Sequence, residues 1–560
     1  MERVRRLTAQ LAAAGPRMES PEEVWSSGDR LTDFFNALPR ELPAAGEYDV
    51  SQHLYGPLRD ADRYPRGWVD AFRDLNEYMK VGRAHVKFAE WQREYGKSLS
   101  ANICVPYLIF KRAGGDEGSR APPVVTHEVI IGNPEDARRI ARVHVKKQPN
   151  FNIFFYGSVI STTDNDYWRM QREQLIPGFL PLASLGQIFD VSADRAQFCA
   201  QRLRKLVDQG NGEVDMNEFL LYETQAQLQL ALFGESNEFM EATNERFRHA
   251  MAGNYDPGFV RPFCNDLATR MDDPARSGPA LPSQVQAGES PAPHGPLSAQ
   301  LREMEGVHPR TREGNSLIFA FAGHDTTGHT MSWLLFELAK NPAIQQRLQR
   351  EVDDFYAFLG GRKPEYSDLR RLPFMTRCIM ETLRLWPAVA NGTFREIQFD
   401  DYITGPGGSE VLLKKGTYVR VVNWSRHRNP DLWGEDAEEF NPDREFRDAE
   451  FWHGDPLRAY NPATDRFSPF TFPPRGCIGM NFAQMEMRLI IASILRDFSF
   501  DLTEEFRKDY DPGTYLGVNY GTLGPAVSPK QELVEGMPGW SPKQRVPLGL
   551  FMRVTPREQQ

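Results

Sequence analysis

The stretch VVTHEVIIG, Val124–Gly132, alternates apolar and polar residues in the manner of a β-strand. The next residues, NPEDARRIARVH, change period. Asn133 is placed to cap a helix, Pro134 suits its first turn, and Asp136 suits its positive end. A longer helical stretch runs from about Glu313 to Lys340 with no proline inside, and Asn341-Pro342 ends it. At 1.5 Å of rise per residue it reaches roughly 40 Å, enough to cross a whole domain. Pro373 to Leu385 reads as a further helix, and Val411–Ser425 as two short strands joined by a Lys-Gly turn. The pattern predicts a mainly α fold with a minor β portion.

Two segments break the pattern. Asp272 to Pro296 is rich in Pro, Gly, Ser and Ala and nearly lacks large apolar residues, so it reads as a flexible loop. At the N-terminus Val4, Leu7 and Leu11 share one helical face beside Arg3, Arg5 and Arg6. That face reads as a frayed surface helix, with an interfacial or targeting helix as the alternative. No stretch approaches the ~18 apolar residues of a membrane-spanning helix. The expected location is cytoplasmic, or at the cytoplasmic face of a membrane with peripheral contact at most.

Composition narrows the classes. The chain has 560 residues, 40% of them hydrophobic and 25% charged, enough to bury a large core without covalent staples. Its net charge of −10 argues against a nucleic-acid partner. Cys104, Cys199, Cys264, Cys378 and Cys477 are odd in number and widely spaced, which fits free thiols rather than a disulfide framework or a zinc ribbon. Four of them read as small buried hydrophobes.

Cys477 is different. It stands in FTFPPRGCIGMNF, a turn that runs directly into a helical pattern. A metal-binding thiol is needed as thiolate. Arg475 offers positive charge, and the N–H groups of Ile478 and Gly479 at a helix start point back at the sulfur. Gly479 leaves room for a flat cofactor, and Phe470 screens the sulfur from water. A shielded anionic sulfur suits haem iron.

The turn resembles the haem-binding loop of the cytochrome P-450 superfamily, F-x-x-G-x-R-x-C-x-G, with Phe470, Arg475, Cys477 and Gly479 matching and Pro473 where the family has glycine. Other motifs follow in chain order. Trp168 and Arg172 match W-x-x-x-R, which in the family holds a haem propionate, and Arg395 is a further propionate candidate. Glu381 and Arg384 match E-x-x-R and, with Arg444, form the family's structural charge network. AGHDTT supplies Ala322, Gly323, Asp325, Thr326 and Thr327. Ala322 and Gly323 leave room for a small ligand beside the long helix. Thr326 bonds a carbonyl one turn back and loosens the helix. In the family's chemistry Thr326 holds oxygen and its water, and Asp325 relays protons. His324 and His329 are five apart with no H-E-x-x-H, and read as packed or solvated rather than metal-binding.

The resemblance implies one catalytic domain over residues 87–556, preceded by an N-terminal extension and entry segment, 1–86. It implies haem b (iron protoporphyrin IX) with Cys477 as axial ligand, O2, and a small apolar substrate. Electrons would come from NAD(P)H through a separate flavoprotein reductase or ferredoxin, since the chain has no flavin or iron–sulfur motif. Arg169, Lys146 and Lys147 read as a solvated basic face or a landing patch for that partner. Phe151, Phe154, Phe155, Tyr156, Phe319 and Val389 are the substrate-pocket candidates. The AGHDTT…SW signature looks like the long-chain fatty-acid hydroxylase branch, although Ala322 cannot make the covalent haem tether that glutamate makes there. Fatty acid, other lipid, sterol, terpenoid or carotenoid all fit. Two rivals are a donor-independent haem-thiolate peroxide isomerase or dehydratase, against which Asp325 and Thr326 speak, and a non-enzymatic haem carrier or sensor.

Overall fold

In a computed structural model the described residues are 48–80, 83–109, 124–151, 155–180, 184–252, 263, 296–452, 461–504, 526–527, 531–534, 544–547 and 549–558. The expected N-terminal helix and residues 272–295 of the expected loop lie outside them. Helices are α1 (Trp68–Lys80), α2 (Ala84–Gly96), α3 (Pro134–Val143), α4 (Asn165–Leu175), α5 (Gly186–Gln209), α6 (Met216–Gln227), α7 (Asn237–Ala252) and α8 (Pro296–Glu303). There follow α9 (Pro309–Lys340), α10 (Pro342–Leu359), α11 (Pro373–Leu385), α12 (Asn423–His427), α13 (Pro430–Trp433) and α14 (Met480–Asp497).

Strands β1 (Ile103–Ile109), β2 (Val124–Ile131), β3 (Glu213–Asp215), β4 (Thr393–Glu396), β5 (Asp401–Thr404), β6 (Glu410–Leu413), β7 (Tyr418–Val421) and β8 (Phe498–Leu502) are short. Beyond them lie β9 (Ala526–Val527), β10 (Gln531–Val534), β11 (Gln544–Pro547) and β12 (Gly549–Pro556). One sheet has the order β1-β2-β7-β4 and another β3-β12-β8, while β5-β6 and β10-β11 form two-stranded pairs. The mainly α fold with a minor β portion is as the pattern predicts.

The local signals explain the boundaries. Asn133 Oδ1 accepts from the N–H groups of Glu135 and Asp136 and so starts α3. α9 starts four residues earlier than the pattern suggests, because Pro309 fits a first helical turn and the His308 ring accepts from Arg310 N–H. The two strands around the Lys415-Gly416 turn exist but do not pair with each other. β6 pairs with β5, and β7 pairs in parallel with β2. Gly416, at φ 91°, sends the chain from one sheet to the other.

Residue 86 is not a break in the packing. Tyr64, Ala71 and Leu75 from α1 and the preceding segment share a core with Phe88, Trp91, Ile103 and Val105. Lys87 reaches back to Asp74 at 2.8 Å. Residues 48–86 therefore belong to the same packed unit as α2 and β1.

The main core gathers α5, α6, α9, α11 and α14. Every residue of α9 from Gly314 to Ala339 is buried except Phe321, Ala322, Gly323 and Thr326. A helix buried all round crosses the middle of its domain. The four half-open positions sit at its centre, with Ala322 and Thr326 one turn apart on a single face. α9 packs against α6, α11 and α14, and α14 begins just after Cys477.

Candidate cofactor site

Cys104, Cys199 and Cys378 are buried, and Cys264 lies outside the described residues. Cys477 behaves otherwise. Its surface is open, yet burial is the largest influence on its thiol and raises its pKa. Its N–H donates to Phe470 O at 2.9 Å, which closes the turn, and the N–H of Gly479 opposes the effect of burial. Gly479 caps α14, and a Cβ there would meet Phe179 Cε1 at 3.8 Å, an ordinary contact.

The cation that acts on the sulfur is Arg172. Arg475, expected in that role, points elsewhere. It donates to Val145 O at 3.0 Å and lies 4.2 Å above the Trp168 ring. Burial thus works against the thiolate form. A coordinating metal ion would favour it, because its charge removes the proton outright.

Four cations gather behind the cysteine. Lys147 feels Arg395 and Arg475, and Arg475 feels Arg395 and Arg172. No carboxylate pairs with any of the four among the described residues. Glu396 is next to Arg395 in the chain, but it pairs with Lys146 at 2.6 Å. Arg395 is fully buried, donates only to Phe394 O, and leaves Nε and one terminal nitrogen unpartnered. Burial pushes Arg395 and Arg475 down to about 9 and Lys147 well below the ordinary lysine range. Two such charges about 8 Å apart repel by roughly 2 kcal/mol at an effective dielectric near 20. Buried cations at this density call for an anion. An iron porphyrin, with a metal for the sulfur and two carboxylates for the cations, fits these residues.

Lys147 is the residue that sequence reading missed: it turns inward and is not part of a solvated face. Of the other two expected there, Lys146 pairs with Glu396 and Arg169 pairs with Asp166 on the surface of α4.

On α9 the Thr326 hydroxyl donates to Ala322 O at 3.0 Å, and the helix runs on without interruption. Asp325 is buried, with Oδ1 3.6 Å from His329 Nδ1. His324 and His329 are both buried, and burial holds each ring below the ordinary histidine range. Gly323 does not open room for a ligand as expected. A Cβ there would meet Leu228 at 2.7 Å, so the glycine admits the π-helical turn Leu228–Leu232 at the end of α6. Glu486 of α14 lies near Thr327, and its fully buried carboxyl is pushed well above the usual range by burial. No motif marks Glu486 in the sequence.

Phe155 and Phe321 lie 6.2 Å apart, and Phe179 stacks on Phe319 at 5.5 Å. Tyr156 is half-buried, its carbonyl accepting from Thr311. Val389 is half-open, and its carbonyl accepts from Asn423 at 3.1 Å. Phe154 and the side chain of Phe151 lie outside the described residues.

The charge network is compact. Arg384 makes two 2.7 Å bonds to the Glu381 carboxylate, and Arg444 Nε makes a third at 3.0 Å. Arg384 also donates to the carbonyls of His427, Ala437 and Glu439, and Arg444 to that of Trp433. Together they bind α11 to the segment that leads toward the cysteine turn.

Comparison with known proteins gives a consistent result. The family model described as Cytochrome P450 matches residues 299–519, which include α9, Glu381, Arg395, Arg444 and Cys477. Cytochrome P450 3A12 of Canis lupus familiaris is 38% identical over 190 residues, 34% of this chain and 34% of that protein. Secologanin synthase 2 of Catharanthus roseus is 36% identical over 189 residues, about a third of each chain. With these first relatives the chain thus shares about a third of their length. Cytochrome P450 monooxygenase fsdH of Fusarium heterosporum is 26% identical over 480 residues, covering 80% of this chain and 78% of that one.

Proposed function

The chain belongs to the cytochrome P450 superfamily, and on that premise we propose that it is a haem-thiolate monooxygenase that inserts one oxygen atom of O2 into an apolar organic substrate. The observation that carries this reading is the pairing of an exposed cysteine with four cations, Arg395 and Arg475 buried and Arg172 and Lys147 half-buried, that have no carboxylate partner among the described residues. Cys477 Sγ would hold the haem iron. Arg172, Arg395, Arg475 and Lys147 are the proposed partners of the porphyrin carboxylates, with Trp168 beneath Arg475. When bound, the haem supplies O–O cleavage and oxygen insertion, which a thiolate ligand favours.

The chain's own residues then have separate tasks. The Thr326 proton is held on Ala322 O, so the hydroxyl oxygen presents its lone pairs to the half-open face of α9. In that state it accepts a hydrogen bond from water, and it donates only after releasing Ala322 O. Asp325, next in the chain and walled off with His329, is the proposed source of the proton. The ring pairs Phe155/Phe321 and Phe179/Phe319 exclude water and favour an apolar substrate. Fatty acids, other lipids, sterols and terpenoids meet that description. Electrons from NAD(P)H through a flavoprotein reductase or ferredoxin complete the balance: two electrons and two protons reduce the second oxygen atom to water.

The test is turnover with a reductase, NADPH and 18O2 on a lipid panel. One labelled oxygen per product molecule is expected. Product from organic hydroperoxide with no reductase requirement and no label from O2 would replace this reading with an isomerase. Haem binding with no turnover on any member would leave a carrier. Among the described residues no helix is long and apolar enough to cross a membrane.

A further inference from the structure

The cysteine turn departs from its family at Pro473, whose ring fixes φ near −65°. The left-handed residue of the turn is Thr471, at φ 62°. Non-glycine residues with positive φ are few among the described residues: Lys97, Tyr156, Asn211 and Thr471. Thr471 is the β-branched one, the type for which this conformation is most strained. Strain of this kind persists only where the surroundings over-determine it.

The surroundings here converge on Ser468. Thr471 N–H donates to Ser468 O at 3.0 Å, which makes the turn. Ser468 is fully buried and held from three directions. Its N–H donates to His427 Nε2 at 3.1 Å, its hydroxyl to Asn423 Oδ1 at 3.3 Å, and that hydroxyl accepts from Arg426 Nη2 at 2.7 Å. Arg426 also donates to Asp465 O at 2.8 Å, to Asn423 Oδ1 at 2.9 Å and to Val422 O. Its guanidinium carbon lies 5.3 Å from the centre of the Phe472 ring, inside the turn itself. The side chain is fully buried, and no carboxylate lies within ion-pair distance of it among the described residues. A buried guanidinium with no carboxylate in contact, Asp465 acting on it only through its charge, is costly, so its stabilising role lies in the carbonyl and hydroxyl oxygens it holds. Unlike Arg395, it has no unpartnered buried nitrogen.

We propose that Arg426 is a positioning residue for the Cys477 sulfur: by clamping Asp465 and Ser468 it keeps Thr471 left-handed and fixes where the turn presents the thiol. The sulfur's role rests on the haem-thiolate reading above; the clamp does not. Glycine at 471 carries no left-handed penalty, so it should make the clamp dispensable.

The experiment uses the purified full-length protein with five variants, Arg426→Ala, Ser468→Ala, Arg426→Ala/Thr471→Gly, Ser468→Ala/Thr471→Gly and Arg426→Ala/Lys97→Gly. Two readouts are taken, amide hydrogen exchange over residues 468–477 and the carbonyl spectrum of the reduced protein. Arg426→Ala should speed exchange of the Thr471 and Cys477 amides at least tenfold and convert most of the thiolate-type band to the neutral-thiol type. Ser468→Ala, which leaves the guanidinium in place, should move both in the same direction by less. Thr471→Gly in the Arg426→Ala background should restore both. Lys97→Gly in that background, at a distant left-handed site, should restore neither. Unchanged exchange in both clamp variants would overturn the proposal, as would failure of Thr471→Gly to rescue either variant. If Arg426→Ala does not fold, Ser468→Ala with and without Thr471→Gly decides. A wild type without a thiolate band would sink the haem-thiolate reading, while the exchange comparison would still decide on Arg426.

Discussion

At the scale of single residues the site is a set of groups that solvent does not satisfy. Lys147 is the sharpest case. Its pKa in the folded chain is depressed by burial and by Arg395 and Arg475. The unfolded chain, where lysine sits near ~10.4, binds the proton more tightly. Stability from this site is therefore full above ~pH 10.4 and is lost as pH falls toward the folded value. In the haem-free protein, urea unfolding should show stability rising from neutral pH toward ~pH 10, and Lys147→Met should flatten that rise. Thr326→Ala makes a second prediction. Reductant should still be consumed while product per NADPH falls at least about tenfold, because proton delivery by a positioned group contributes roughly 10²–10⁴. Unchanged coupling would remove Thr326 from the chemistry. The cysteine turn was legible through its resemblance to the family's loop, because Phe470, Arg475, Cys477 and Gly479 stand at that loop's offsets. The inward turn of Lys147 was not, because a lysine's direction depends on the packing around it and leaves no local pattern.

At the scale of elements, α9 shows what a glycine signal can and cannot say. Gly323 reads in the sequence as room for a ligand, yet it and Gly328 both face the α6 side. A Cβ at Gly323 meets only the end of the Leu228 side chain, at 2.7–3.2 Å. A Cβ at Gly328 meets Leu221 backbone atoms at 3.1 and 3.2 Å as well as a methyl at 2.8 Å. A side chain can swing away and backbone cannot. Gly323→Ala should therefore stay within about 1 kcal/mol of the wild type, its clash offset by the roughly 1 kcal/mol helix preference of alanine. Gly328→Ala should cost about 2–3 kcal/mol in urea unfolding, the range for overpacking. Equal effects would mean that the helices separate freely. The strands carry the same lesson. The run from Val411 to Ser425 announces two strands, but only tertiary pairing sends β6 to β5 and β7 to β2.

At the scale of the molecule, widely separated segments meet at one place. Glu381 ties α11 to Arg444, and Arg384 ties both to the carbonyls of His427, Ala437 and Glu439. The family resemblance pointed to these three residues, and the physics agrees with it, because a buried carboxylate can serve two guanidiniums. The carbonyl acceptors could not be read, since any backbone has them. Removing the acid should be severe: Glu381→Ala strands the buried Arg384 guanidinium, while Arg444 keeps Asp436, at a cost of about 3–5 kcal/mol. The purified variant should be haem-poor and unfold at lower urea. Normal haem content would detach the network from cofactor retention.

The central claim is the bond from Cys477 to haem iron, and the carbonyl spectrum of the reduced, haem-loaded protein tests it most directly. A red-shifted Soret band of the thiolate type is expected in the wild type, and its loss is expected in Cys477→Ala. A folded, haem-loaded wild type with a band of the imidazole or neutral-thiol type, or a Cys477→Ala protein that keeps the thiolate band, would contradict the account.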